Sequence, residues 1–538
     1  MKKIPWFLVL LIGWTIVLRL LPVFPNKFSF MYDNAKDSLV IRQMGKHHKP
    51  ALFGAVTSID GVYNGPLWYY LALPLNFLLD YHPLASVLTV VILSVISVGL
   101  VYLYLGRLTA LLYATSVGLI GTQQSAWTPY MTPLVVLPIL LILLKLPQLG
   151  LTKKVFTKRF KKTHQHQPVV QLWLSLVENS SWLYGCLGLL VGFSFHFQTA
   201  YGMVLLPTVL LCLLLLRWRS RLQLGFKNLL ILLTGFVFTF TPFVIFELRH
   251  DWHQTKQIIA FLQDYQQQAQ AINANQSGWG RVLEIGQYIY DSAWQAVLPV
   301  KLAPAGLVII GLIGGYFWQQ LTAQHRKTSQ QGLVQLIVFL SFVLTPLLLY
   351  QFLPCKAYYL VALLPVWIVF FALALKNFLD NKWLKLIILL VIVLSGYQLA
   401  NNYSWTNYLT EQASFPYLPK QQAVNKVYEL SNGQSFASYH FVKEVYDYTY
   451  QQIYLSLIDQ GYEQPVEFSY LPGKTAYIPQ KRLLVKKSKP PAQVFLIVEE
   501  YYSEAVFQDW WWRVTQQLEI VNSYPINQSI VVYQARLL

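Results

Sequence analysis

Phe30-Met-Tyr32-Asp33-Asn-Ala-Lys36-Asp37-Ser-Leu-Val-Ile-Arg42 follows the first apolar run of this 538-residue chain. Residues 1–399 hold only 11 Asp and Glu, and two of them stand here, four positions apart. If the segment is helical, that spacing sets both carboxylates on one face. Asp33 is the candidate catalytic carboxylate, and the remaining chain is read for what could gather around it.

Composition settles the solvent. The chain is 55% hydrophobic, 15% aromatic and only 12% charged, against roughly 25% charged in soluble domains. A membrane-crossing helix needs roughly 20 apolar residues. Eleven stretches approach that length: 6–24, 84–105, 108–122, 131–146, 182–198, 202–217, 227–246, 297–318, 332–350, 357–375 and 384–400. The expected fold is a polytopic α-helical membrane protein over residues 1–400, with an extracytoplasmic α/β domain over 401–538. The first run resembles a signal peptide, but no small-residue cleavage site follows and Arg19 interrupts it, so it reads as an uncleaved first helix. Cys186, Cys212 and Cys355 lie in or beside apolar runs without metal-ligand spacing and read as small apolar residues.

The net charge of +18 is not the footprint of a nucleic-acid binder, because it is unevenly divided. Residues 1–399 hold 30 Lys and Arg against 11 acids, and the remainder hold 11 against 12. With the amino terminus inside, the inner loops carry 19 of the cations and the longer outer loops nine. The positive-inside rule then places the amino terminus in the cytoplasm and the tail outside a plasma (inner) membrane.

In the tail, alternation over 492–498 and 529–533 reads as strand, while 424–430 and 504–518 read as helix. Trp510-Trp-Trp512 would anchor at the interface, stack on sugars, or fill a core. Two long outer loops remain. Residues 25–83 hold the Asp33 segment and Asn64-Gly-Pro66-Leu-Trp-Tyr-Tyr70, whose aromatic turn suits the interface plane. Residues 247–296, Gln-rich around Gln266–Gln270, are long enough for a mobile cover.

On this topology every uncommon polar cluster faces outward: Asp33, Lys36 and Asp37; Trp127-Thr-Pro129; His196-Phe-Gln198; Glu247-Leu-Arg249-His250-Asp251; and Lys356-Ala-Tyr358-Tyr359. A catalytic centre at the outer surface is the economical reading. Ionisable residues at helix ends also snorkel or mark the interface, and His196 alone reads more readily as a packed, hydrogen-bonded residue. Glu247, Arg249 and His250 could pair among themselves and still present donors to a phosphate.

Tyr32-Asp33-Asn-Ala-Lys36-Asp37 followed by Asn64-Gly-Pro66-Leu-Trp-Tyr-Tyr70 resembles the membrane glycosyltransferases of the GT-C fold. This class includes the protein O-mannosyltransferases and the lipid A aminoarabinose transferases, and the chain is most similar to their bacterial relatives. Phe246-Glu-Leu-Arg-His250 and Tyr358-Tyr359 look like signatures of the same relatives, and the resemblance spans residues 1–375. It implies an inverting transferase that moves a sugar from a polyprenyl-phosphate donor to a glycan, lipid or protein acceptor. Asp33 would assist the acceptor's attack, with Lys36 near the donor phosphate. Where aminoarabinose transferases carry a Lys before the Pro-Leu pair, this chain has Asn64 and Gly65, which moves phosphate binding toward Arg249 and Lys356. Asp37, His196, Gln198, Glu247, His250, Tyr358 and Tyr359 are the supporting candidates.

A carboxylate base and phosphate-neutralising cations are what such a transfer asks for. A divalent cation is possible on Asp33, Asp37, His196, Glu247 and His250, but no spacing requires a bound metal. Two alternatives remain open. An O-antigen ligase or polymerase would keep its large polar region in a middle loop. A lipid-linked sugar flippase or transporter would place its ionisable residues near the bilayer midplane.

Overall fold

The computed structural model describes residues 6–24, 26–57, 59–160, 181–220, 224–261, 263, 278–298, 302–322, 326–403, 416–474, 481, 484, 491–501 and 503–538. The Gln266–Gln270 run of the 247–296 loop lies outside the described residues, as do Lys2, Lys3, Lys161, Lys162 and Arg221 of the cation-rich segments.

Among the described residues, eight helices are long and apolar enough to cross a membrane: Trp6–Val23, Leu84–Leu105, Thr128–Pro147, Thr199–Arg219, Ala305–Thr322, Gln330–Leu349, Ala357–Phe378 and Asn381–Asn401. The chain is a multi-pass membrane protein. Leu84–Leu105 shows how such a helix is written: 22 residues without a charge, closed by Gly106 at φ 87°, with Arg107 opening the next helix. A side chain at Gly106 would resist that left-handed conformation.

The other three apolar stretches behave differently, each for a local reason. Stretch 227–246 is a pair of helices, Phe226–Thr239 and Thr241–Arg249, bent by 48°. Pro242 opens the second of them, and proline cannot continue the hydrogen-bond ladder of the first. Stretch 108–122 divides into Arg107–Thr115 and Val117–Gln123. At the break, the Ser116 hydroxyl caps the second helix by accepting from Leu119 N–H at 3.3 Å. Stretch 182–198 is a 17-residue helix, Ser181–Phe197. It lies against Phe226–Thr239 through small residues: a Cβ added at Gly188 would collide with Leu232 O, and one at Gly235 with Gly185 O. Without a hydrophobic drive in lipid, such close backbone approach is what associates helices.

Burial ranks the helices by position. In Ala357–Phe378, 83% of the apolar window is buried, against 17% in Asn381–Asn401. The first is the centre of the bundle and the second its rim.

The tail folds as an α/β unit. Strands β1 (Phe436–Phe441), β2 (Glu467–Ser469), β3 (Gln493–Glu499), β4 (Leu518–Pro525) and β5 (Ile530–Leu537) form one sheet in the order β2-β1-β3-β5-β4. β1 pairs parallel with β2 and β3, while β5 pairs antiparallel with β3 and β4. Every β1 residue is buried because both faces are covered. Phe436 joins the core shared with Tyr417 and Tyr450, whereas Ala437, Tyr439 and Phe441 meet Trp510 on the opposite face. The Trp triplet splits accordingly. Trp510 is buried and donates to Tyr470 O at 2.8 Å, while Trp512 is exposed.

This unit is bound to the segment that follows the first helix. Phe28 stacks on Tyr417 with ring centres 5.0 Å apart, Tyr417 N–H donates to Phe28 O at 3.0 Å, and Asn26 bonds Gln421 at 3.0 Å. Loop and tail therefore lie on one side of the bundle.

Candidate active site

The Asp33 segment is a helix, Tyr32–His47, and the i, i+4 carboxylates point into different surroundings. Asp33, in the first turn, is half-buried, and its Oδ2 accepts from the Trp127 indole N–H at 3.2 Å. Burial raises its pKa, opposed by the indole bond, the Lys36 ammonium and the nearby Tyr32 hydroxyl. A carboxylate whose pKa is shifted upward from the usual range suits a general base. Burial likewise lowers the Lys36 ammonium against the pull of Asp37 and Asp33.

Asp37 is enclosed. Its two oxygens accept from the Tyr69 hydroxyl at 2.8 Å and the Thr128 hydroxyl at 3.0 Å. Trp68 and Tyr69, expected at the interface, turn inward and are almost fully buried, while Phe77 and Leu78 of the same helix, Leu67–Leu78, stay exposed. Burial pushes the Asp37 carboxyl up to about 7, against the two hydroxyl bonds. Native Asp37 thus holds its proton to higher pH than an unfolded carboxyl would. The native state binds more protons between about pH 4 and about pH 7, and stability falls as pH rises through that window. Asp37→Asn should remove this slope, seen as a thermal midpoint that no longer declines from acid to neutral pH relative to the unsubstituted protein.

Trp127 connects Asp33 to the Lys356-Ala-Tyr358-Tyr359 cluster. Its ring lies 4.7 Å from that of Tyr358, which meets Tyr359 edge-on at 4.8 Å. Lys356 is exposed, with Nζ 5.9 Å from the Tyr358 ring centre. Beside this group is a cavity of about 410 Å³ whose polar lining includes Tyr130, Tyr358, Tyr288, Asp291 and Gln295. Asp33, Lys36, Lys356, Tyr358 and Tyr359 thus form one neighbourhood, with Asp37 directly behind it.

His196, Gln198, Glu247 and His250 make their contacts within the scaffold. His196 Nδ1 accepts from Leu67 N–H at 3.3 Å, which leaves the proton on Nε2 to donate to Thr239 O at 2.9 Å. Gln198 is buried in the turn between Ser181–Phe197 and Thr199–Ser220. Glu247 does not pair with Arg249 or His250. Its carboxylate accepts from Gln254 N–H at 3.0 Å, Thr255 N–H at 3.0 Å and the Thr255 hydroxyl at 2.6 Å, closing the chain reversal after the bent helix. His250 stacks on Phe246 at 4.1 Å, and Arg249 is exposed. This cluster packs through Phe246 onto Phe53 and Tyr63, in the segment between the first and second long apolar helices. Asn64 is buried and its Oδ1 accepts from Thr199 N–H at 2.9 Å and the Thr199 hydroxyl at 2.8 Å. Among the described residues, no three His, Cys, Asp or Glu side chains are grouped to hold a metal ion.

Two participants carry no sequence signal beside Asp33. Glu444 Oε1 accepts from Tyr32 N–H at 2.7 Å, and Asp459 takes a bidentate pair from Arg42 at 2.7 Å each. Both acids belong to the tail, and only the three-dimensional contact reveals them.

No family model matches the chain, and no curated protein matches it in sequence. In three dimensions it is similar to the crystal structure of ArnT from Cupriavidus metallidurans bound to undecaprenyl phosphate. The TM-score is 0.55 at 9% sequence identity, over 98% of this chain and 97% of that one. The shared fold is GT-C, as the outer-loop motifs imply, and it includes the carboxyl-terminal unit.

Proposed function

We propose that the chain is an inverting glycosyltransferase that takes a sugar from a polyprenyl-phosphate donor and passes it to an acceptor at the outer face of the plasma membrane. The amino terminus is cytoplasmic and the α/β tail extracytoplasmic in this reading. The observation that carries it is a half-buried carboxylate, Asp33, bonded to Trp127 beside Tyr358 and the cavity that Tyr358 lines, in a fold that in ArnT accommodates undecaprenyl phosphate.

Asp33 accepts the proton of the acceptor hydroxyl as the new glycosidic bond forms. Phosphate departs with the electron pair of the broken bond, and Lys36 and Lys356 neutralise its charge. A single displacement inverts the anomeric carbon. The carrier's apolar tail remains among the helices, which is why the reaction belongs in a membrane.

The test reconstitutes purified protein in lipid with radiolabelled polyprenyl-phosphate sugars and a membrane extract. Label should pass from the carrier to a second molecule. Label that merely crosses the bilayer, still attached to its carrier, would instead identify a transporter, and transfer of an entire preassembled glycan a ligase.

Trp127→Phe provides a finer check. The indole bond favours charged Asp33, and a hydrogen bond to a charged group contributes about 1.5–3 kcal/mol, equivalent to roughly one pKa unit or more. Without it the carboxylate protonates more readily. The acid limb of the turnover profile should therefore move to higher pH by about one unit.

A further inference from the structure

The helix bearing Asp33 begins without a good cap of its own. Its N-cap residue is Met31, whose thioether is a weak acceptor and offers no oxygen to the first free N–H groups. The Asn34 side chain turns back to accept from Met31 N–H at 3.2 Å, leaving Tyr32 N–H, the first inside the helix, to be satisfied from elsewhere. The acceptor is Glu444 Oε1 at 2.7 Å, 412 positions along the chain. Glu444 is itself held: its Oε2 meets Lys420 Nζ at 2.9 Å with both side chains almost fully buried, and Lys420 also reaches Glu499 at 3.3 Å. Glu499 in turn accepts from the Tyr450 hydroxyl at 2.9 Å and Lys443 N–H at 3.1 Å. The cap is thus fixed at the end of β3 and cannot drift with the loop that carries it. A carboxylate at a helix start also complements the helix dipole.

We infer that Glu444 of the α/β tail is a positioning residue for Asp33: it completes the first turn of the Tyr32–His47 helix and thereby fixes the carboxylate one residue further along. The tail is then part of the catalytic apparatus. This rests on the transferase reading for its kinetic consequence, but the cap itself can be tested without any activity.

The experiment uses the full chain in lipid with Glu444→Ala and Glu444→Gln. Glutamine keeps an oxygen to accept from Tyr32 N–H, and Lys420 keeps Glu499, so this variant should retain most of the rate. Alanine should lower kcat on the order of a hundredfold, the cost of a misplacement of about 1 Å, while KM for the donor stays unchanged. Hydrogen–deuterium exchange read on the same samples should quicken over residues 31–36 in the alanine variant, with Leu84–Leu105 and Tyr448–Asp459 as folding controls. Unchanged exchange over 31–36, unchanged kcat despite faster exchange, or equal loss in both variants each overturns the inference. If alanine unfolds the tail, the glutamine variant decides alone, since a poor rate there rules out the acceptor role. Absence of transfer by the unsubstituted protein would refute the transferase reading and leave the exchange result to judge the cap.

Discussion

Asp33→Asn should reduce turnover by roughly a hundredfold to ten-thousandfold, the range in which a positioned general base contributes. The substitution is nearly isosteric, and its amide oxygen can still accept from the Trp127 indole. The helix and the neighbouring Trp127–Tyr358 contact should therefore persist, and the thermal midpoint should hardly move. Donor binding depends on cations and on the cavity, so KM should change far less than kcat, the pattern left by removing an interaction made in the transition state. Kinetics with a purified donor and a saturating acceptor would check this. A variant retaining most of its turnover would displace Asp33 from the base role.

The second large effect is on stability. Arg42 and Lys46 near the end of the Asp33 helix both meet Asp459, at 2.7 Å and 2.6 Å, with the Arg42 and Asp459 side chains only 5% and 9% exposed. Asp459→Ala leaves a guanidinium buried without a counter-charge, which costs about 3–5 kcal/mol. Denaturation in mild detergent should show this as a markedly earlier transition of the tail. Because replacing both partners of a buried pair by apolar residues is often neutral or stabilising, Arg42→Met combined with Asp459→Leu should recover most of the loss. If the single and double variants unfold alike, the pair contributes little to docking.

Much of this fold could be read along the chain, because apolar length is a local property. Ten of the apolar stretches correspond to long helices, a bent pair or a 17-residue helix. The break at Ser116 is also local, yet a cap inside an apolar run is easily passed over. The Asp33 segment is a helix as its spacing suggests, but the two carboxylates receive unequal surroundings from Trp127, Thr128 and Tyr69, and spacing alone says nothing about that. Glu247 shows the opposite failure. Arg249 and His250 are its neighbours in sequence, yet its carboxylate turns to the backbone of Gln254 and Thr255, where free N–H groups need an acceptor. Glu444 and Asp459 look like solvated charges in a tail of balanced charge, and their meaning lies in partners 412 and 417 positions away.

Since Tyr32 and Glu444 are separated by 412 positions, the order of synthesis runs against the order of assembly. The ribosome delivers the Asp33 helix almost at once and its fastening only after the last bilayer crossing has been threaded. On the transferase reading, a nascent chain would therefore hold Asp33 without the cap of its helix for most of its making.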